Sequence, residues 1–165
     1  MSPFEYVIVL ISIILGLGIT TILTGIAEFI KQSRMFHLYP PYLIWILLVF
    51  VLHIQEWSVS YALRTEVEWT LQKFLFILLY PINLYILAHL LFPAGLSTSF
   101  TSREFYMTNF PRLFTGTIVL VVLSILHNLA FLKLPLQTQL PHVIVLGILS
   151  TMVIIFSALA SSATA

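Results

Sequence analysis

The stretch Tyr6–Ile30 reads YVIVLISIILGLGITTILTGIAEFI, with Glu28 as its one ionisable side chain. At a rise of about 1.5 Å per residue such a helix reaches roughly 37 Å, more than the ~30 Å hydrocarbon thickness of a bilayer. A surface helix of a soluble domain would show one polar face, whereas this one is apolar nearly all round, the pattern of a helix whose solvent is lipid. Working outward, four further stretches pass the same test of about 20 mostly apolar residues. They run over about 42–63, 69–92, 113–132 and 142–161. Pro40-Pro41, Thr65-Glu66-Val67-Glu68, Pro93-Ala94-Gly95, Pro135 and Pro141 punctuate them. The expected fold is all-α, a polytopic transmembrane helical bundle of about five spans forming a single integral membrane domain over residues 1–165.

Composition agrees. The chain is 60% hydrophobic and 8% charged, against roughly 25% charged residues in a soluble domain, and its mean hydropathy is +1.07. All six acidic residues are Glu. A net charge of +1 excludes the broad basic footprint of a nucleic-acid partner. Cysteine is absent, which excludes disulfides, thiolate metal sites and palmitoylation. No HExxH, GxSxG, phosphate loop or carboxylate pair occurs, so the reading is of a non-enzyme with no metal centre and no obligatory cofactor. The apolar run near the N-terminus is too long, and lacks the preceding basic residue, for a cleavable signal.

Residues 94–112, AGLSTSFTSREFYMTNFPR, read as one long interfacial loop whose aromatic side chains Phe100, Phe105, Tyr106 and Phe110 sit at headgroup level. Lys31, Arg34, Arg103 and Arg112 are expected on one side of the membrane, and Arg64 and Lys133 on the other. The excess of basic residues marks the cytoplasmic side.

Phe4-Glu5-Tyr6 followed by VLISIILGLGITTILTGIAEFI, then Tyr39-Pro40-Pro41-Tyr42-Leu43-Ile44-Trp45, His53-Ile54-Gln55-Glu56-Trp57 and Leu79-Tyr80-Pro81, resemble a group of small, uncharacterised bacterial inner-membrane proteins. The resemblance covers roughly the first three spans. It implies a bacterial inner membrane and carries no residue roles; proteins of that group often have a C-terminal span beyond the five expected here.

Polar residues inside the spans are the candidates for function, because an ionisable group in the hydrocarbon costs a few kcal/mol or more and is kept against a partner or cavity. In the first span Ser12, Gly16, Thr20, Thr24 and Glu28 recur every four residues, a ladder suited to close helix packing. In the second, His53 and Glu56 lie on one face, with Trp57, Ser60 and Arg64 continuing it. Counting residues from the expected span ends puts His127 and Asn128 at the height of Glu56, and Lys73 slightly beyond. These five, His53, Glu56, Lys73, His127 and Asn128, form the expected polar layer, with Glu56 and Lys73 as a pair. Pro81 should kink the third span beside Asn83.

The functional expectation is an oligomeric ion or proton channel, or a small transporter subunit, with the lipid bilayer and further copies of itself as partners. A haem protein with His53 and His127 as axial ligands, and a non-catalytic assembly subunit, are the alternatives. The basic residues predict an external N-terminus and a cytoplasmic C-terminus. Compartment-sensitive reporters fused to each end check this: an N-terminal reporter active only in the cytoplasm reverses the orientation.

Overall fold

The computed structural model describes residues 3–31, 39–65, 68–92 and 102–129, together with Gly147 and Thr151. It contains helices α1 (Pro3–Lys31), α2 (Pro40–Ser60, continued by a 3₁₀ turn over Tyr61–Thr65), α3 (Leu71–Leu90) and α4 (Ser102–His127). Among the described residues four helices are long and apolar enough to cross a membrane: Pro3–Lys31, Pro40–Arg64, Leu71–Leu90 and Arg103–His127. The fifth expected span lies outside the described residues except for Gly147 and Thr151, both helical. There the Thr151 hydroxyl donates to the Gly147 carbonyl at 2.7 Å.

Each helix end follows from local chemistry. Pro40 and Pro41 open α2, where their missing N–H groups would have no helical partner in any case. Thr70 caps α3, its hydroxyl accepting the Lys73 N–H at 3.3 Å. Pro81 lies inside α3 without ending it.

The long loop expected over 94–112 is corrected in its second half, since α4 begins at Ser102 and runs unbroken through Pro111. Tyr106, Asn109, Leu113, Thr117 and Leu120 recur at three- and four-residue steps, and all are buried. That stripe offsets the roughly 3 kcal/mol that a proline costs inside a helix. Of the hydroxyls that suggested a loop, that of Thr108 is satisfied within the helix by donating to the Glu104 carbonyl, and further along Thr115 donates to that of Pro111. Residues 93–101 lie outside the described set.

α3 packs against α1, α2 and α4, while α2 and α4 touch each other much less. Aromatic rings join all four helices near one end. Phe29 of α1 meets Tyr42 at a centroid distance of 6.0 Å and Phe92 at 5.7 Å. Tyr42 also meets Phe105 at 6.0 Å and Tyr106 at 6.4 Å. The Tyr42 hydroxyl donates to the Leu91 carbonyl, and the Trp45 indole N–H donates to the Tyr106 hydroxyl at 3.1 Å. A buried tyrosine or tryptophan needs such a partner for its polar atom, and here those partners tie α2 to α3 and to α4.

α1 turns Val7, Ile11, Leu15, Gly18, Ile22 and Phe29 inward. The Ser12–Gly16–Thr20–Thr24–Glu28 ladder lies almost opposite, because two residues along a helix are about 200° apart in rotation. Nothing lies within 4 Å of the position a Gly16 Cβ would take. Thr20 donates to the Gly16 carbonyl at 2.8 Å, and Glu28 pairs with Lys31 at 3.2 Å. Ser12 is the rung that touches a neighbouring helix, accepting the Trp57 indole N–H at 3.3 Å. The close approaches within the molecule fall on Gly18 and Gly25 instead: a Cβ would overlap the His53 ring at the first and the Phe92 ring at the second.

This geometry separates two glycines of one helix. Gly18→Ala should destabilise the protein by roughly 1–3 kcal/mol through overpacking, whereas Gly16→Ala should lie within about 0.5 kcal/mol of the parent or above it. Thermal unfolding in detergent micelles measures both, and equal effects would contradict the packing described here.

Candidate functional site

The deepest polar groups come from one face of α2. His53, Glu56 and Ser60 follow one another at three and four residues and are all buried, His53 completely and Glu56 to 9% exposure. The Ser60 hydroxyl donates to the Glu56 carbonyl at 2.8 Å. From α3, buried Tyr80 brings its phenol within electrostatic reach of Glu56. Pro81, the residue after it, is itself buried within α3.

His53 is held by its own helix. Its Nδ1 lies 2.7 Å from the Val49 carbonyl, so this nitrogen carries the hydrogen and Nε2 is left with a lone pair. Nε2 is buried and makes no hydrogen bond among the described residues. It faces Gly18 of α1, where even a methyl group would overlap it. A haem iron has no room on that nitrogen with α1 in this position.

Interhelical contacts set the relative heights. The Asn83 amide donates to the Gly116 carbonyl at 2.9 Å, joining α3 to α4, and Tyr42 reaches Leu91. Counting at about 1.5 Å per residue from these two points, Glu56 stands roughly 9 Å beyond the level of Gly116, Lys73 about 15 Å and His127 about 16 Å. The expected single layer is therefore split. His53, Glu56 and Tyr80 form the deeper group, and Ser60, Lys73, His127 and Asn128 lie more than a turn nearer the end of the helices. The difference arises from α4, which begins at Ser102 and so carries His127 further than a helix starting near residue 113 would.

Lys73 donates through Nζ to the Glu68 carbonyl at 2.9 Å. The ammonium thus points along its stem toward the helix terminus and away from mid-span, the usual course of a lysine near a membrane surface. Asn128 sits where α4 widens into a π-turn over Asn128–Leu129. Asn83, expected at a kink, serves as the α3–α4 bridge. Outside the spans, burial pushes the Tyr39 phenol up, with the positive charge of Arg103 pulling the other way.

Tyr80 and Gly18 are the site residues that the polar pattern of the sequence does not single out. Tyr80 carries a weak signal in its place before Pro81. Gly18 is marked by its seven-residue spacing from Gly25, two full turns along the same face.

The described chain is thus all-helical, with four helices long and apolar enough to cross a membrane, compatible with a multi-pass membrane protein. No protein-family model matches the sequence, no curated protein is similar to it, and no solved structure matches it.

The Asn83 bridge has a measurable weight. Asn83→Leu should lower stability by roughly 0.6–1.7 kcal/mol, the range found for hydrogen bonds between membrane helices, read from unfolding in mixed micelles. An unchanged midpoint would remove this bond from the account of how α3 and α4 are held.

Proposed function

We propose that this chain is a transport-class protein of a bacterial inner membrane, in which Glu56 binds and passes a proton and His53 is its titratable neighbour. The reading includes the fifth span over 142–161, closure of the spans into one bundle, and action as a homo-oligomer. The observation that carries it is the pairing of a buried imidazole nitrogen that has no hydrogen-bond partner among the described residues with a buried carboxyl group one turn away.

A packing role alone does not call for ionisable groups at this depth, since a buried ion pair or polar cluster can commonly be replaced by apolar residues at no loss of stability. A proton-handling role does require them. The Glu56 carboxyl can take up a proton in place, which neutralises it without moving a counter-ion through lipid. Ser60 and Tyr80 supply hydroxyls that both donate and accept, the property a relay requires. His53 can accept a proton at Nε2 once α1 shifts away from it, so the Gly18 contact acts as the closed position of a gate. Lys73, His127 and Asn128, nearer the surface, would form the outer approach to the site.

Purified protein in liposomes with an internal pH-sensitive dye tests the proposal. Wild type should dissipate an imposed proton gradient, and Glu56→Gln should slow this at least tenfold while leaving the unfolding midpoint within a few degrees. Equal flux from both proteins removes Glu56 from the pathway. The absence of flux from the wild type favours instead a non-catalytic assembly subunit whose polar groups serve packing.

A further inference from the structure

Arg112 lies within α4, well past its start. Tyr106, six residues earlier, is level with the ends of the other helices: its ring meets Tyr42 at 6.4 Å, and the Tyr42 hydroxyl reaches Leu91. At about 1.5 Å per residue, the Arg112 backbone is therefore roughly 9 Å inside that level. Side chains on a helix lean toward its N-terminus, which for α4 is this same end. The exposed Arg112 follows that course, and Nη1 donates to the Asn109 Oδ1 at 3.2 Å. Asn109 is itself buried, at 9% exposure. Its oxygen is used by Arg112, so its two amide hydrogens remain to be given to an acceptor.

The sequence leaves this guanidinium without a carboxylate. The six acidic residues are Glu5, Glu28, Glu56, Glu66, Glu68 and Glu104. Glu5 and Glu68 belong to the opposite end of the helices, and Glu66 directly follows Thr65 there. Glu28 pairs with Lys31. By the residue count above, Glu56 stands about 15 Å further into the molecule, and Glu104 about 12 Å nearer the helix end. Glu66 is the one acid outside the described residues, so neither the fifth expected span nor the connecting segments at this end can supply an anion. An arginine at this depth is costly unless its charge reaches an anion or the headgroup layer.

We propose that Arg112 and Asn109 together bind the phosphate group of an anionic phospholipid in the leaflet at this end of α4. A guanidinium offers a planar pair of N–H donors that matches two phosphate oxygens, and the Asn109 amide adds a donor beside them. The depth selects a lipid, because a soluble anion would have to shed its water to reach this flank of the helix. The charge selects an anionic headgroup, because the ammonium of a zwitterionic one would set a second positive charge beside Arg112. The inference does not rest on Glu56 carrying protons, and the measurements below read lipid binding, not flux.

Full-length protein stripped of lipid in mild detergent and titrated with phosphatidylglycerol should retain one lipid in native mass spectrometry and melt several degrees higher. Arg112→Gln should lower the occupancy of that lipid about tenfold and remove the thermal shift. Arg103→Gln, which removes a cation at the same end but about half a turn round α4, should change both little. Asn109→Asp sets a carboxylate against Arg112 and should displace the lipid as Arg112→Gln does, with the protein still folded. Unchanged occupancy in Arg112→Gln or in Asn109→Asp would overturn the assignment, as would equal retention of phosphatidylcholine. Saturable binding of inorganic phosphate that depends on Arg112 would overturn the lipid as the ligand and make this a site for a soluble anion.

Discussion

Lipid offers no hydrogen bonds, and most of this structure answers that single constraint. In water a stray hydroxyl or amide costs little, because solvent completes it. Inside a bilayer each must find its partner within the protein or forfeit several kcal/mol. Threonines 20, 21, 115 and 117 bond the carbonyl one turn back. Tyr42, Trp45 and Asn83 have polar atoms too far from their own backbone for that, and each reaches a different helix. Short polar side chains therefore close on themselves, and long ones hold helices together.

The same logic accounts for the small-residue ladder of α1 being turned largely away from the other described helices. Its hydroxyls need no neighbour once they bond their own helix, so nothing requires that side to turn inward. Burial of Val7, Ile11, Leu15, Ile22 and Phe29 instead sets the rotation of α1, and that rotation brings Gly18 and Gly25 against His53 and Phe92. Dispersion contacts over a well-fitted apolar face are the main attraction between helices in lipid. The two glycines serve by being small where bulky rings approach.

The exception to internal satisfaction is His53. Its Nδ1 is bonded, yet Nε2 is buried beside α1 without a partner among the described residues. Buried polar atoms of this kind are few in native proteins, and they concentrate where strain or chemistry is stored. That Glu56 is buried one turn away, with the buried Tyr80 of α3 within its electrostatic reach, makes this the region where the molecule departs from plain packing. α3 supplies the continuity here. It contacts every other described helix, and it carries both the Tyr80–Pro81 turn beside Glu56 and the Asn83 bridge to α4.

The sequence by itself determined the helical class and the existence and approximate limits of α1, α2 and α3. These follow from one-dimensional quantities: runs of apolar residues measured against bilayer thickness, and prolines at their ends. It also singled out His53 and Glu56 as the unusual groups, because charge in an apolar run is visible without coordinates. Only the tertiary structure decided the rest. The helical start of α4 was hidden by Ser, Thr and Pro111, whose usual preference for loops is overridden by burial of Tyr106 and Leu113 between helices. The rotation of α1, the separation of Lys73 and His127 from Glu56, and the approach of Tyr80 all depend on how helices distant in sequence are set against one another. Periodicity within a single helix contains none of that information, since register and rotation are properties of pairs of helices.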